Sequence, residues 1–185
     1  MRIIAGKYGG RKIEMVPNES TKETSDKVRG AVFNSLGNQI YDAKVLDLFS
    51  GSGAYGLEGL SRGAGLIYLV DHHKDAIKTI RKNIDTLGIV KDVFVVQKDY
   101  LSALKEFSEK GIIFDLIFLD PPYHNDYYKQ AILALEKLTN KDSIIVCELH
   151  KTNELEDVLG DFECYKEKVY GIKKIKYYQR KALWK

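Results

Sequence analysis

An α/β fold built on a mainly parallel sheet is predicted for this chain by three observations. Short apolar runs alternate with segments of helical periodicity from residue 44 to residue 149. A glycine-rich turn, Gly51-Ser52-Gly53-Ala54-Tyr55-Gly56, directly follows the first of those runs, and an acidic-proline turn, Asp120-Pro121-Pro122-Tyr123, closes a later one. At 185 residues, with 44% hydrophobic and 30% charged content, the chain has material for one sizeable core rather than two.

Arg2, Lys7, Arg11 and Lys12 flank a Tyr8-Gly9-Gly10 turn, which reads as a small basic β-hairpin. Thr24 or Ser25 can cap a following helix with Val28, Val32 and Phe33 on its apolar face and Lys27 and Arg29 among its charges. Residues 1–40 are therefore expected to form an extension, and residues 41–185 the main domain. In that domain, 44–49, 66–70, 93–97, 112–119 and 143–149 read as five strands. Residues 57–62, 74–87, 102–110 and 126–138 supply helices for both sheet faces; in 74–87, Ile77, Ile80, Ile84 and Leu87 recur at steps of three and four. The runs 162–169 and 173–184, parted by Gly171, read as an antiparallel hairpin added at one edge, which makes seven strands.

No apolar run approaches the length of a membrane span, and the basic start leads into short alternating segments rather than a signal-peptide core, so a cytoplasmic location is expected. Cys147 and Cys164 form no ligand-spaced pair and the four histidines are scattered, so reduced thiols and no metal site are expected. The net charge of +3 hides a segregation: residues 166–185 hold eight Lys or Arg against one acidic residue, residues 1–30 hold seven against four, and the middle is acidic. Basic flanks on an acidic body point to a polyanionic partner. The competing reading is that Lys173, Lys174, Lys176, Arg180 and Lys181 only blunt an exposed edge strand.

Gly51, Gly53 and Gly56 have the G-x-G-x-x-G spacing, and Asp71 ends the next strand about twenty residues on, where a ribose-binding carboxylate is expected. Such a pair suits any adenosine-containing cofactor. Asp47, just before the glycines, would repel a diphosphate but would meet an ammonium group. S-adenosylmethionine carries an ammonium, a ribose and an adenine, which Asp47, Asp71 and Asp99-Tyr100 answer in turn, with Ser50, Ser52 and His72 as further lining. An N-cap is the alternative role for Asp71 and Asp99.

The Asp120 carboxylate and the Pro121 carbonyl are both acceptors at the carboxyl end of a strand. Aimed at the two hydrogens of an exocyclic amine, they would orient its nitrogen and favour the pyramidal geometry of attack. Pro122 stiffens the turn and Tyr123 offers a face for base stacking, a contact worth about 1–3 kcal/mol per base. The plainer reading is a strand-terminating turn.

Arg2-Ile3-Ile4-Ala5-Gly6 with Gly10-Arg11-Lys12, the segment Asp26-Lys27-Val28-Arg29, the run Asp47-Leu48-Phe49-Ser50-Gly51-Ser52-Gly53 and the Asp120 to Tyr123 turn together resemble the bacterial 16S rRNA guanine-N2 methyltransferase family of the D type, over nearly the full length. The resemblance implies a Rossmann-like class I methyltransferase that transfers a methyl group from S-adenosylmethionine to N2 of one guanine of 16S rRNA. It implies action on the 30S subunit or an assembly intermediate, with no obligate protein partner. Asp47, Gly51, Gly53, Asp71, Asp99 and Asp120 would line the cofactor pocket, and Asp120, Pro121, Pro122 and Tyr123 would receive a flipped base. Arg2, Lys7, Tyr8, Arg11, Lys12, Lys22, Lys27 and Arg29 would grip RNA. The chain departs from the family in reading Lys22-Glu23-Thr24 for Arg-Pro-Thr, and Asp71 for a glutamate. Rival readings are an amino methyltransferase of DNA or of adenine N6 in other RNA, for which a target-recognition domain lacks room, and a non-catalytic RNA-binding assembly factor. A protein glutamine methyltransferase would call for asparagine at position 120.

Overall fold

The structure, a computed structural model, describes residues 1–17, 25–122 and 125–182. The apolar runs become β1 (Lys44–Asp47), β2 (Leu66–Asp71), β3 (Val93–Gln97), β4 (Phe114–Leu119) and β5 (Thr139–His150). Between and before them lie α1 (Asp26–Leu36), α2 (Ala54–Ser61), α3 (Lys74–Leu87), α4 (Tyr100–Glu109) and α5 (Asn125–Ala134). The carboxyl-terminal part adds β6 (Val158–Leu159), β7 (Phe162–Tyr170) and β8 (Lys173–Arg180). All eight strands share one sheet in the order β3-β2-β1-β4-β5-β8-β7-β6. The first five run parallel, and β8 joins β5 antiparallel.

The strands β1, β4 and β5 are buried on both faces, which is why they read as continuous apolar runs rather than alternating ones. One face packs Phe33 of α1, Leu57 of α2 and Ile77 and Ile80 of α3 against Val45, Ile67 and Phe118. The other packs Leu104 and Phe107 of α4 and Ala131 and Ile132 of α5 against Leu46, Ile117 and Ile145.

The seven-stranded expectation gains one strand. β6 pairs two residues with β7 at the outer edge, and two residues are too few to show a period. The hairpin is added at the β5 edge of the parallel strands as expected, with β8 rather than β7 next to β5. The helix expected over 126–138 stops at Ala134 and tightens into a 3-10 turn, Glu136–Leu138. Ser25 caps α1, its side chain accepting from the Val28 N–H at 3.3 Å, while Thr24 lies outside the described residues.

The amino-terminal segment folds back on itself around a single antiparallel bridge, Arg2 with Lys12, with Ile3 and Arg11 bonded at 2.9 Å. It is joined to the core at a few points. Ile3, Ile13 and Val28 share a hydrophobic cluster with Val45 and Leu57. Glu58, fully buried on α2, accepts from the Ile4 and Ala5 N–H groups at 2.8 and 3.2 Å. The same carboxylate pairs with Arg62 at 2.6 Å and with buried Arg29 at 3.7 Å. At Gly6, φ is +82° and a Cβ would stand 1.8 Å from the Ser61 carbonyl oxygen, so only glycine lets the segment lie this close to the end of α2.

Replacing Glu58 by Ala takes one of two carboxylates from the buried Arg29 guanidinium, leaving Asp26, removes the partner of Arg62 and frees two backbone donors. A loss of about 3–5 kcal/mol is expected, read by urea unfolding monitored by circular dichroism, with the Arg62→Ala variant, which removes a side chain nearer the surface than Glu58, losing less.

Candidate active site

The strand order reverses between β1 and β4, since β2 continues to one side of β1 and β5 to the other side of β4. In open α/β sheets the crevice at such a point, beyond the carboxyl ends of the strands, is where ligands bind. Asp47 ends β1, Asp71 ends β2, Asp99 follows β3 and Asp120 follows β4, so the topology brings all four to one edge of the sheet.

Asp47 is 4% exposed and accepts from the Gly56 N–H at 3.0 Å. Burial pushes its carboxyl up to about 7, the Gly56 N–H opposes that rise, and the charge of Asp71 adds to it. No cation among the described residues is paired with it. A buried carboxylate of this kind fits a ligand ammonium. A Cβ at Gly56 would stand 2.2 Å from Cδ2 of buried Leu69, so a side chain there would have to displace that leucine where α2 packs on β2.

Asp71 serves the loop itself. Its two oxygens accept from the Gly51 and His73 N–H groups, each at 2.9 Å. Ser50 and Ser52 are buried; the Ser50 hydroxyl donates to the Asp47 carbonyl at 2.5 Å, and the Ser52 carbonyl accepts from Asn83 of α3 at 3.0 Å. Gly53 precedes α2 in the left-handed region, at φ 83°. His72 is exposed, its ring tilted against that of His73 with centroids 3.8 Å apart. Asp99 caps α4, one oxygen accepting from the Leu101 and Ser102 N–H groups at 3.0 and 3.2 Å. Tyr100 is buried, and its hydroxyl donates to Gln130 at 2.8 Å.

Two aromatic residues that sequence reasoning passed over complete this wall. Phe49, just past β1, lies 5.1 Å from the Tyr100 ring, and Tyr127 on α5 lies 5.5 Å from it. The only signal in the sequence was their position a few residues from the motif residues.

Asp120 is half-buried, Pro121 buried and Pro122 exposed, while Tyr123 lies outside the described residues. Beside Asp120 stand two further residues that sequence reasoning missed. Tyr55, on the first turn of α2, stacks on Phe118 at 4.8 Å, and its hydroxyl meets Glu148 of β5 at 2.8 Å. Glu148 is 2% exposed and pairs with Lys173 at 2.6 Å. The signal for Glu148 was a single acid inside the apolar run 144–149.

Two expectations for RNA contacts are corrected. Arg29 is fully buried, paired with Asp26 at 3.0 Å and Glu58 at 3.7 Å and bonded to the Arg2 carbonyl, so it does not face a phosphate. Arg11 directs its guanidinium to the Thr86 and Leu87 carbonyls, closing the carboxyl end of α3. Arg2, Lys7, Lys12 and Lys27 are exposed, and the Lys7 ammonium lies 5.2 Å from the Tyr8 ring. Lys22 lies outside the described residues.

The basic carboxyl-terminal stretch is also not the open patch its charge suggested. Lys173 pairs with Glu148 at 2.6 Å, Lys176 with Asp157 at 2.7 Å and Arg180 with Asp161 at 3.2 Å, and Lys174 and Lys176 are buried. Among the described residues no helix is long and apolar enough to cross a membrane, and no cluster of His, Cys, Asp and Glu could hold a metal.

A glycine loop after β1, acids ending the neighbouring strands and a carboxyl-terminal antiparallel pair define an α/β methyltransferase fold. The family described as Conserved hypothetical protein 95 matches residues 1–179. Ribosomal RNA small subunit methyltransferase D of Escherichia coli K12 is 34% identical over 184 residues, covering 98% of this chain and 91% of that one. The same enzyme of Haemophilus influenzae is 33% identical over 182 residues, covering 97% and 93%. The solved structure of yhhF from Escherichia coli superposes with a TM-score of 0.85 at 34% identity, covering 99% of both chains. The chain belongs to this small-subunit rRNA methyltransferase D family.

Because the folded-state proton affinity of Asp47 is raised, its contribution to stability is present below the ordinary carboxylate range and is lost as pH rises to about 7. Asp47→Asn keeps an acceptor for the Gly56 N–H but does not ionise. The stability of this variant relative to the unaltered chain should therefore grow between pH 5 and pH 7.5, as read by urea unfolding without ligand; a constant difference would contradict the raised value.

Proposed function

We infer that the chain transfers a methyl group from S-adenosylmethionine to the exocyclic N2 amino group of a guanine in 16S rRNA, acting in the cytoplasm on the 30S subunit or an assembly intermediate. The observation that carries this reading is the Asp120-Pro121 turn at the end of β4, one strand from the buried carboxylate of Asp47. S-adenosylmethionine, when bound, supplies an electrophilic methyl group on a sulfonium. The residues that would hold it are Asp47 for the ammonium and the glycine loop with Asp71 for the ribose, while Phe49, Tyr100 and Tyr127 offer faces for the adenine.

The Asp120 carboxylate and the Pro121 carbonyl accept the two amine hydrogens, which holds the nitrogen in line and localises its lone pair. The amine that has gained a methyl group sheds one proton, which the Asp120 carboxylate can take. The base would be flipped, since enzymes that do chemistry on a base take it out of the stack. Exposed Arg2, Lys7, Lys12 and Lys27, with Tyr8, meet phosphates and bases beside the site.

The test is labelled methyl transfer to 30S particles from cells lacking this protein, with 50S particles and duplex DNA in parallel, followed by nucleoside analysis. N2-methylguanosine from 30S particles alone is expected, and N6-methyladenine in DNA would overturn the substrate. Asp120→Ala should retain cofactor and 30S binding while losing about 10²–10³-fold in turnover, the scale of removing one well-placed polar group.

Replacing Lys12 and Lys27 together by Ala should weaken 30S binding and reduce its dependence on salt, by about 0.7–0.9 in the log–log slope for each phosphate that is no longer neutralised. Affinity for the cofactor should not change. An unaltered slope in filter-binding titrations would remove these lysines from the RNA interface.

A further inference from the structure

Packing alone does not account for Glu148. It lies in a strand otherwise apolar from Ile144 to Leu149, on an interior strand of the sheet, and is 2% exposed. A buried ion pair generally gives no more stability than apolar residues of the same volume, so its retention calls for another reason. The register supplies one. Leu119 pairs with Cys147 in the parallel β4/β5 ladder, which sets Asp120 and Glu148 side by side one residue further on. Phe118 and Val146 belong to the core cluster that contains Tyr55, and with the two-residue period of a strand Asp120 and Glu148 project to that same face.

Three contacts fix Glu148 there. Tyr55 donates its hydroxyl to one carboxylate oxygen at 2.8 Å, Lys173 approaches the other at 2.6 Å, and the Tyr128 hydroxyl donates to the Glu148 carbonyl from the opposite face. The Tyr55 ring stacks on Phe118, two residues before Asp120. Burial, with the Glu148 and Asp120 carboxylates, holds the Tyr55 hydroxyl well above its usual range, so it remains a donor. The ionisable groups around this point are Glu148 on β5, Lys173 on β8, Tyr55 on α2, Arg29 on α1 and, one strand away, Asp47 on β1.

We propose that Glu148 is a positioning residue for Asp120, its carboxylate neutralised by Lys173 and tied to Tyr55 so that the charge and orientation of the amine-accepting carboxylate are set from the neighbouring strand. This rests on the role assigned to Asp120 above. Glu148 acts through its neighbour and does not itself touch the base.

The test is the pH dependence of kcat on 30S particles, with cofactor affinity measured beside it. Lys173→Met leaves the Glu148 charge uncompensated next to Asp120, so the acidic limb should move to higher pH by about one unit. Glu148→Gln leaves the Lys173 cation, so the limb should move to lower pH. The double variant should return it close to the starting position, Lys173→Arg should leave it in place, and cofactor affinity should be unchanged throughout. Limbs that coincide, or that move the same way in both single variants, overturn the inference. If Lys173→Met does not fold, Glu148→Gln against Lys173→Arg carries the same comparison. Asp120→Asn in the same series separates the two ideas: retained turnover with the limb intact refutes the role of Asp120, whereas lost turnover with fixed limbs in the other variants refutes only that of Glu148.

Discussion

The parallel pairing of β1 with β4 is the contact on which the site depends. Val45 meets Leu116, Leu46 meets Ile117 and Asp47 meets Phe118, so the glycine loop leaving one strand and the Asp120 turn leaving the other open onto the same crevice. Both strands bury both faces, and a slip of one residue would carry Asp47 from one face to the other. The hydrophobic core therefore specifies the register, and the register specifies the chemistry.

Charge around that crevice is arranged in two shells of opposite sign. Asp47, Asp71 and Asp120 gather at the carboxyl edge, where a cation such as a sulfonium bearing an ammonium is the complementary ligand, while the charge of Glu148 is met by Lys173. The exposed lysines of the amino-terminal segment stand outside, where a polyanion is complementary. Asn83 links the two. Its side chain bonds residue 14 of the amino-terminal segment through both N–H and carbonyl, and donates to the Ser52 carbonyl in the glycine loop. Loop and segment are thereby braced on one helix, so the basic amino-terminal segment has a fixed relation to the glycine loop.

The legible parts of the sequence were those where one signal dominates. α3 spans Lys74–Leu87 as its three-and-four spacing predicts, because its Ile and Leu stripe has no competing pattern. Residues 112 and 113 mislead, since their apolar character belongs to the end of α4: the Ile112 N–H returns to the Phe107 carbonyl and Ile113 is exposed. Arg29 has the look of a surface charge, although it adjoins Val28 and precedes Val32 and Phe33 by three and four positions, the spacing of a buried stripe. The lysines of β8 mislead for another reason. Their shortest ion pairs run to acids in the segment 148–161, and a charge sum over a window carries no information about partners outside it.

That pairing changes what the carboxyl-terminal strands are for. Without β8 in the sheet, β5 would be an edge strand, Glu148 would face solvent on one side, and its lysine would be absent. With β8 inserted between β5 and β7, the carboxylate is dry, partnered and set beside Asp120. The antiparallel addition thus brings a lysine to the carboxylate on the neighbouring strand, as the amino-terminal segment brings exposed lysines to the other end of the chain. The five parallel strands provide the crevice, and the residues outside them determine how that crevice is charged.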